Sequence, residues 1–302
     1  MTTRNHMLPS LRALLSVCLL CMTVSTARAD EVAGTVRDES GNPIEGADFN
    51  VYDAETGVKL APSDNTDAAG KYRLIVDPGK RYDFLCQPGI NSGFAPRIVR
   101  AVLVTGPVTL DYVLPPSAQA RGRVTDTRNP DTGTNGVFPC DLDFDRVDDG
   151  SRQPALGDLT SPFGTFVSYL EGGAYNVTAT PADTALAPGR VFGWTLPTTD
   201  ILPMPLLPAA FVAGTIRDSN GQPVAGATLK FDDTVAGRRL PSTRATSNAA
   251  GFIRMGVTPG VYRVTVEPAS GTPYAATRVA DVDLTASRFM DFTVAVGAIV
   301  SG

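Results

Sequence analysis

Three stretches of the chain begin in the same way, and this repetition limits the fold more than any other feature. Residues 34–38 read Gly-Thr-Val-Arg-Asp, residues 122–126 read Gly-Arg-Val-Thr-Asp, and residues 214–218 read Gly-Thr-Ile-Arg-Asp. The starts lie about 90 residues apart, a spacing typical of a small domain repeated in tandem. We therefore predict an array of three similar domains, an architecture that serves binding or reach more often than catalysis.

Within each repeat, alternating apolar residues are separated by tight-turn signals. In the third repeat Tyr262, Val264 and Val266 alternate with polar residues, as expected of a half-buried strand. Residues 218–221 and 248–251 carry Asp or Asn first and Gly fourth, which a type I turn prefers. Short strands separated by such turns predict an all-β sandwich in each repeat.

An aspartate follows the first strand of every repeat, at Asp38, Asp126 and Asp218. A ligand-binding role would need further groups, whereas an aspartate in a turn accepts hydrogen bonds from backbone N–H groups just ahead of it. We expect these three side chains to close turns.

The spacing of these residues resembles that of the carboxypeptidase regulatory-like domain. The first repeat carries the pattern at Gly34, Asp38, Gly41, Pro43, Gly46, Ala47, Asp67, Gly70, Tyr72, Pro78 and Gly79. The third repeat carries it at Gly214, Asp218, Gly221, Pro223, Gly226, Ala227, Asn248, Gly251, Phe252, Pro259, Gly260 and Tyr262. The middle repeat keeps only Gly122, Asp126, Gly164, Phe166, Gly173 and Tyr175.

The resemblance implies three tandem seven-stranded β-sandwiches, immunoglobulin-like or transthyretin-like, after a signal peptide. Domains of this family accompany catalytic domains, receptors and adhesins and seldom catalyse a reaction themselves. We therefore expect a non-catalytic exported array for structural display or protein–protein binding at the cell envelope. Because the starch-binding-like fold is close in shape, the alternative is a carbohydrate-binding module.

The first 29 residues have the features of a secretory signal peptide. A start with Arg4 and Arg12 precedes the apolar residues 13–24, and Ala27-Arg28-Ala29 follows as a cleavage site. We predict a secreted, periplasmic or cell-surface protein with no membrane span after cleavage, since the apolar run is shorter than the roughly 20 residues of a membrane helix.

Turn and strand signals also predict where the repeats begin and end. We predict a signal peptide at 1–29, a first repeat at 30–116, a divergent middle repeat at 117–209, and a third repeat at 210–296. Residues 297–302 are a tail or the start of a further repeat, because Ile-Val-Ser-Gly at 299–302 resembles the strand that leads to Gly214. The proline-rich segments 114–117 and 202–209 are the expected connectors, which proline keeps extended.

Few side chains suited to catalysis remain after cleavage. The one histidine, His6, lies in the signal peptide, so the mature chain lacks the commonest general base. Three arginines leave with it and no acidic residue does, which takes the net charge from −5 to about −8. A chain so negative is unsuited to nucleic acid. We expect no enzyme activity and no cofactor, and a protein or glycan partner at the cell envelope.

Two cysteines remain in the mature chain, Cys86 and Cys140. An exported protein can pair cysteines in a disulfide bond. Each of these alternates with apolar residues of a different repeat, however, and a disulfide needs Cα atoms within about 7 Å. We favour two buried free thiols.

Two groups of residues are weak candidates for a binding site. Asp141, Asp143 and Asp145 could supply oxygen ligands to calcium, although their alternation with apolar residues favours the solvated face of a strand. Trp194, the one tryptophan, could stack on a sugar ring, although a lone tryptophan in a small sandwich more often lies in the core.

Overall fold

The computed structural model describes residues 29–60, 64–130 and 135–297. Their regular structure consists of 22 β-strands. In this part of the chain no helix is long and apolar enough to cross a membrane. The predicted signal peptide before Ala29 and the predicted tail after Gly297 lie outside the described residues.

The strands divide among the repeats in chain order. The first repeat contains β1 Asp30–Asp38, β2 Asp48–Asp53, β3 Lys71–Val76, β4 Lys80–Gln87, β5 Arg97–Val104, β6 Val108–Thr109 and β7 Tyr112–Leu114. The middle repeat contains β8 Ser117–Asp126, β9 Cys140–Arg146, β10 Arg152–Gln153, β11 Thr165–Glu171, β12 Gly173–Pro181, β13 Gly189–Leu196 and β14 Leu202–Leu206. The third repeat contains β15 Ala210–Asp218, β16 Thr228–Asp233, β17 Arg239–Leu240, β18 Phe252–Val257, β19 Val261–Glu267, β20 Thr277–Asp283, β21 Arg288–Phe289 and β22 Phe292–Val294.

Each repeat is built from two sheets with the same pattern of neighbours. In the first repeat β1 lies between antiparallel β3 and the parallel strands β6 and β7, and the second sheet has the order β2-β4-β5. The middle repeat has the orders β11-β8-β14 and β10-β9-β12-β13. The third has β18-β15 with β21 and β22, and β17-β16-β19-β20. The predicted all-β sandwich class is confirmed, with an eighth short strand in the third repeat.

Three separate hydrophobic clusters fill the space between these sheets. Their buried residues come from 32–114, 118–206 and 210–294 respectively. Tyr262, Val264 and Val266 are at most 1% exposed, so the inward face predicted for this strand is confirmed. Each cluster draws on a single repeat, but the domain boundaries themselves stay a prediction.

Both cysteines are free and buried, as predicted. Cys86 belongs to the cluster of the first repeat and Cys140 to that of the middle repeat. Burial raises the pKa of each thiol to about 12, so both stay protonated near neutral pH. They are therefore apolar core groups rather than nucleophiles.

The glycine that starts each repeat lies where the last strand of the same sandwich meets the first. A Cβ on Gly34 would lie 2.1 Å from the carbonyl oxygen of Leu110, and one on Gly214 would lie 1.8 Å from that of Met290. A Cβ on Gly122 would meet the ring of Phe166. Only glycine therefore allows this close approach, which explains why the residue recurs.

An aspartate fixes the interrupted last strand of the first and third repeats. The Thr35 N–H and hydroxyl both donate to Asp111 Oδ1, at 2.7 and 2.9 Å. Thr215 donates in the same way to Asp291, at 2.7 and 2.6 Å, and these bonds lower the pKa of that carboxyl. These hydrogen bonds keep the last strand close to Gly34 in the first repeat and to Gly214 in the third.

The middle repeat closes with an unbroken strand instead. Leu202–Leu206 pairs in parallel with β8, so the prediction that 202–209 is a connector is wrong for its first five residues. Pro203 and Pro205 face outward. Strand β14 is at the edge of its sheet, and an edge strand tolerates proline because the missing N–H has no ladder partner on that side.

The predicted turn role of the repeated aspartates is confirmed. Asp38 Oδ1 accepts from the N–H groups of Ser40 at 2.9 Å and Asn42 at 2.8 Å. Bonds from Asn42 are the main cause that lowers the pKa of Asp38. Asp218 accepts equivalent bonds from Asn220 and Gln222, each at 2.8 Å.

In each repeat one buried hydroxyl connects a backbone N–H group and a backbone carbonyl at the same place in the core, an arrangement that we call the buried joint. Thr160 Oγ1 accepts from the Cys140 N–H at 3.0 Å and donates to the Val137 carbonyl at 2.7 Å. Matching pairs of bonds are made by Thr66, to Ala47 and Ile44, and by Ser247, to Ala227 and Val224. Because the divergent middle repeat keeps this joint, it shares more than the general shape of its neighbours.

Thr160→Val tests the buried joint, because the substitution keeps the side-chain shape and leaves the Cys140 N–H without its acceptor. We expect the free energy of unfolding of the middle repeat to fall by about 1–3 kcal/mol. Urea unfolding followed by Trp194 fluorescence measures this repeat alone. The exposed Thr195→Val is the control and should change nothing; equal effects of the two substitutions would contradict the joint.

Gly34→Ala tests the close contact of the first and last strands. The new methyl group has no room, so we expect the first repeat to lose about 2–3 kcal/mol. Gly106→Ala is the matched control, because a Cβ there meets nothing within 4 Å. Calorimetry of the mature chain should show one transition moved to lower temperature by Gly34→Ala only, and an unchanged profile would refute the steric argument.

Candidate binding surface of the middle repeat

Both predicted site candidates lie on the four-stranded sheet of the middle repeat. Strand β9 points Cys140, Leu142 and Phe144 into the core, so its aspartates lie on the outer face. Trp194 lies on β13, the edge strand of the same sheet. The two candidates therefore share one sheet, but the aspartates lie on its outer face and Trp194 packs on its core face.

The outer-face aspartates are held by arginines rather than left in solvent. Arg152 forms ion pairs with both Asp143 and Asp145, and Arg190 Nη2 forms one with Asp145. The two carboxylate side chains are only 14% and 15% exposed. Two negative charges therefore face two positive ones, and the expected solvated row of acids is instead a compact, neutral network.

Asp141 is outside this network. Burial and the nearby carboxylates Asp143 and Asp158 raise its pKa, and burial raises that of Asp158 as well. Across the residues that the structure describes, no three His, Cys, Asp or Glu side chains are grouped so as to hold a metal ion. A calcium ion here would have to displace Arg152 from Asp143 and Asp145.

Trp194 occupies a position that carries valine in the other two repeats. It pairs with Tyr175 across the sheet, as Val102 pairs with Tyr82 and Val282 with Tyr262. The indole is partly buried and packs against the core of the middle repeat. The indole therefore takes part in the packing of the sandwich.

The edge strand that corresponds to β13 contains a bulge in every repeat, namely in β5, β13 and β20. Ala101, Gly193 and Asp281 each have a positive φ, at 55°, 69° and 55°. The pairing register shifts at each of these places. A bulge twists an exposed edge and stops another strand from pairing along it. A partner would therefore meet these edges through side chains rather than by adding a strand.

A cavity of about 490 Å³ lies beside the bulge at Gly193. Its walls combine residues of the middle and third repeats, namely Val147, Asn176, Arg190, Phe192, Arg238 and Arg239. The guanidinium carbon of Arg238 lies 4.8 Å from the centre of the Phe192 ring, and that of Arg190 lies 5.6 Å away. Sequence reasoning missed this cavity, because its basic and aromatic residues come from segments far apart in the chain.

The family comparison supports the resemblance seen in the sequence. The model of the carboxypeptidase regulatory-like domain matches residues 212–297. This match confirms the predicted resemblance and covers the third repeat. No curated protein matches the chain.

Several solved structures have a remote likeness to the chain. The Bacillus anthracis TIE protein shares 14% identity at a TM-score of 0.27, covering 89% of this chain and 51% of its own, so the chain spans about half its length. A streptococcal ancillary pilin shares 11% identity at a TM-score of 0.25, covering 89% and 99%. BcpA, the major pilin subunit of Bacillus cereus, shares 12% at 0.23, covering 89% and 100%. These likenesses are too distant to assign a function.

Arg152→Gln tests the ion-pair network. With Arg152 gone, Asp143 loses its arginine partner and Asp145 keeps only Arg190, so we expect the middle repeat to lose about 1–2 kcal/mol. Urea unfolding followed by Trp194 fluorescence gives the value, and the exposed Arg121→Gln is the control. Calcium should leave the melting temperature of the unaltered protein unchanged; a rise with calcium, or no effect of Arg152→Gln, would contradict the network.

Proposed function

Because residues 212–297 match the model of the carboxypeptidase regulatory-like domain, we propose that this protein is a non-catalytic, exported β-sandwich array. Its role is structural display or protein–protein binding at the cell envelope. Export is supported by the signal-peptide pattern at residues 1–29. The observation that carries the proposal concerns the exit of each repeat, by which we mean the residues where the chain leaves it, 115–117, 207–209 and 295–297. Every repeat holds its exit by the same backbone hydrogen bonds.

The exits of all three repeats are fixed by two backbone hydrogen bonds. At the first, the Ser117 N–H donates to Gly93 at 2.8 Å and the Ala95 N–H donates to Pro115 at 2.9 Å. The equivalent bonds join Ala209 to Ala185 and Ala187 to Leu207 at the second exit, and Gly297 to Pro273 and Ala275 to Ala295 at the third. A connector bound to its own domain cannot act as a free hinge.

Successive repeats also touch through corresponding regions. Arg100 Nη2 of the first repeat donates to the Arg152 carbonyl of the middle repeat at 3.3 Å. Phe192, which like Arg100 precedes the bulge residue, lies under Arg238 of the third repeat. Arg152 and Arg239 are equivalent, since each begins the short edge strand and pairs with an aspartate. At both junctions the residue before the bulge of one repeat contacts the next repeat at or next to the start of its short edge strand, which supports a regular array with a defined reach.

The protein-binding role is favoured over the carbohydrate-binding alternative by Trp194. A sugar-binding platform needs an exposed aromatic face, whereas Trp194 packs against the core. The non-catalytic assignment is supported by the lack of histidine after residue 29 and by two buried, protonated thiols.

Small-angle X-ray scattering of the mature chain tests the array. A compact globule of this length would have a radius of gyration of about 19 Å. We expect a clearly larger value and a profile typical of a rigid particle, because the exits are fixed. The control is a variant with a short Gly-Ser insertion after Pro116, which separates the exit from the next repeat and should scatter as a flexible chain. A value near that of the globule, or wild-type flexibility equal to the control, would contradict the proposal.

A further inference from the structure

We propose that the cavity between the middle and third repeats binds the carboxylate of an acidic peptide segment on a protein partner. The inference rests on the proposed protein-binding role and names the chemistry that the partner presents. It depends on the charge balance of the cavity walls and on a comparison with the equivalent place one repeat earlier.

Three guanidinium groups line the cavity, and two of them have internal partners. Arg190 pairs with Asp145, and Arg239 Nε pairs with Asp232 Oδ1 at 2.9 Å. Arg238 has no ion pair within the described residues and is held by its contact with Phe192. The cavity therefore carries one uncompensated positive charge in a protein whose net charge is −5.

The preceding junction has the carboxylate that this one lacks. There Arg100 Nη1 lies 3.3 Å from Asp83 Oδ2, so the cation is neutralised within the first repeat. Asn176 is the counterpart of Asp83, since each follows the tyrosine at which the register shifts, Tyr175 or Tyr82. Phe192 is the counterpart of Arg100, so both members of that ion pair are replaced at this junction, while Arg238 of the third repeat brings in a cation next to the amide. An external carboxylate would supply the negative charge that Asp83 supplies at the preceding junction.

Arg190 gives a second, independent indication of missing acceptors. Its Nε is buried and has no hydrogen-bond partner. Buried donors are rarely left without an acceptor, and a guanidinium group matches a carboxylate in shape and charge. A ligand carboxylate paired with Arg238 would satisfy this Nε only if the Arg190 side chain turned toward the cavity, because the atom is buried.

The walls favour a peptide side chain over a sugar or a nucleic acid. Both Arg190 and Arg238 lie within 6 Å of the Phe192 ring centre, so the ring is engaged by cations and is not a free stacking platform. A single open cation in an acidic protein cannot hold a phosphate backbone. The volume of about 490 Å³ accommodates one or two side chains.

The test is a titration of the mature chain with the peptide acetyl-Gly-Glu-Gly-Glu-Gly-amide, using ¹⁵N NMR. Its glutamine counterpart and an oligogalacturonate are run in parallel. We expect the glutamate peptide to bind in a salt-sensitive way and to shift the resonances of Gly193, Asn176 and Arg238. The glutamine peptide should bind at least about tenfold more weakly, because a charge-assisted bond is lost.

Two variants assign the binding to this cavity. Arg238→Gln removes the open cation, and Asn176→Asp supplies an internal carboxylate, so each should weaken binding about tenfold or more. The matched control is Arg254→Gln, which removes another guanidinium stacked on a phenylalanine, Phe211, on the other sheet of the third repeat. This control should bind the glutamate peptide like the wild type.

Several outcomes would overturn the inference. Equal binding of the two peptides, no binding, or an equal loss in Arg254→Gln would show that the cavity is not a carboxylate site. Tighter binding of the oligogalacturonate would replace the peptide by an acidic glycan. A rigid scattering profile together with no peptide binding would leave the array intact and overturn only this inference.

Discussion

Each sandwich depends on the close contact between its first strand and its last, made at one glycine. At Gly34 and Gly214 the carbonyl oxygen of the last strand fills the space of a Cβ, and Asp111 or Asp291 fixes the strand there. This contact closes the sheet over a core that uses only local residues. Because closure is complete within one repeat, the unit can be copied along a chain.

The sequence predicted those parts of the fold that follow from short-range patterns. Alternation placed Tyr262, Val264 and Val266 in the core, and the turn chemistry of Asp38 required only residues 40 and 42. The burial of the Thr160 hydroxyl was not predicted, because no local sequence pattern distinguishes this residue from a surface threonine. Residues 202–206 were misassigned because two prolines suggest a connector, whereas an edge strand also accommodates them.

The site was less predictable than the fold, because its charges are paired across distances that no pattern reveals. Asp143 and Asp145 suggested a cation site until Arg152 and Arg190 were seen to neutralise them. The cavity near Phe192 needs Arg238 from the next repeat, and only the arrangement of two domains brings them together. Trp194 was ambiguous until the register showed valine at the same place in the other repeats.

The central claim is that identical, fixed exits turn three small domains into an array of defined geometry. Amide hydrogen exchange of the mature chain tests this most directly, because the N–H groups of Ser117 and Ala209 are hydrogen-bonded to the repeat that the chain leaves at each exit, Ser117 to Gly93 and Ala209 to Ala185. The account predicts that both amides are protected to a degree comparable with the central strands β4 and β12. Exchange of these two amides at the rate of an unstructured peptide would contradict it.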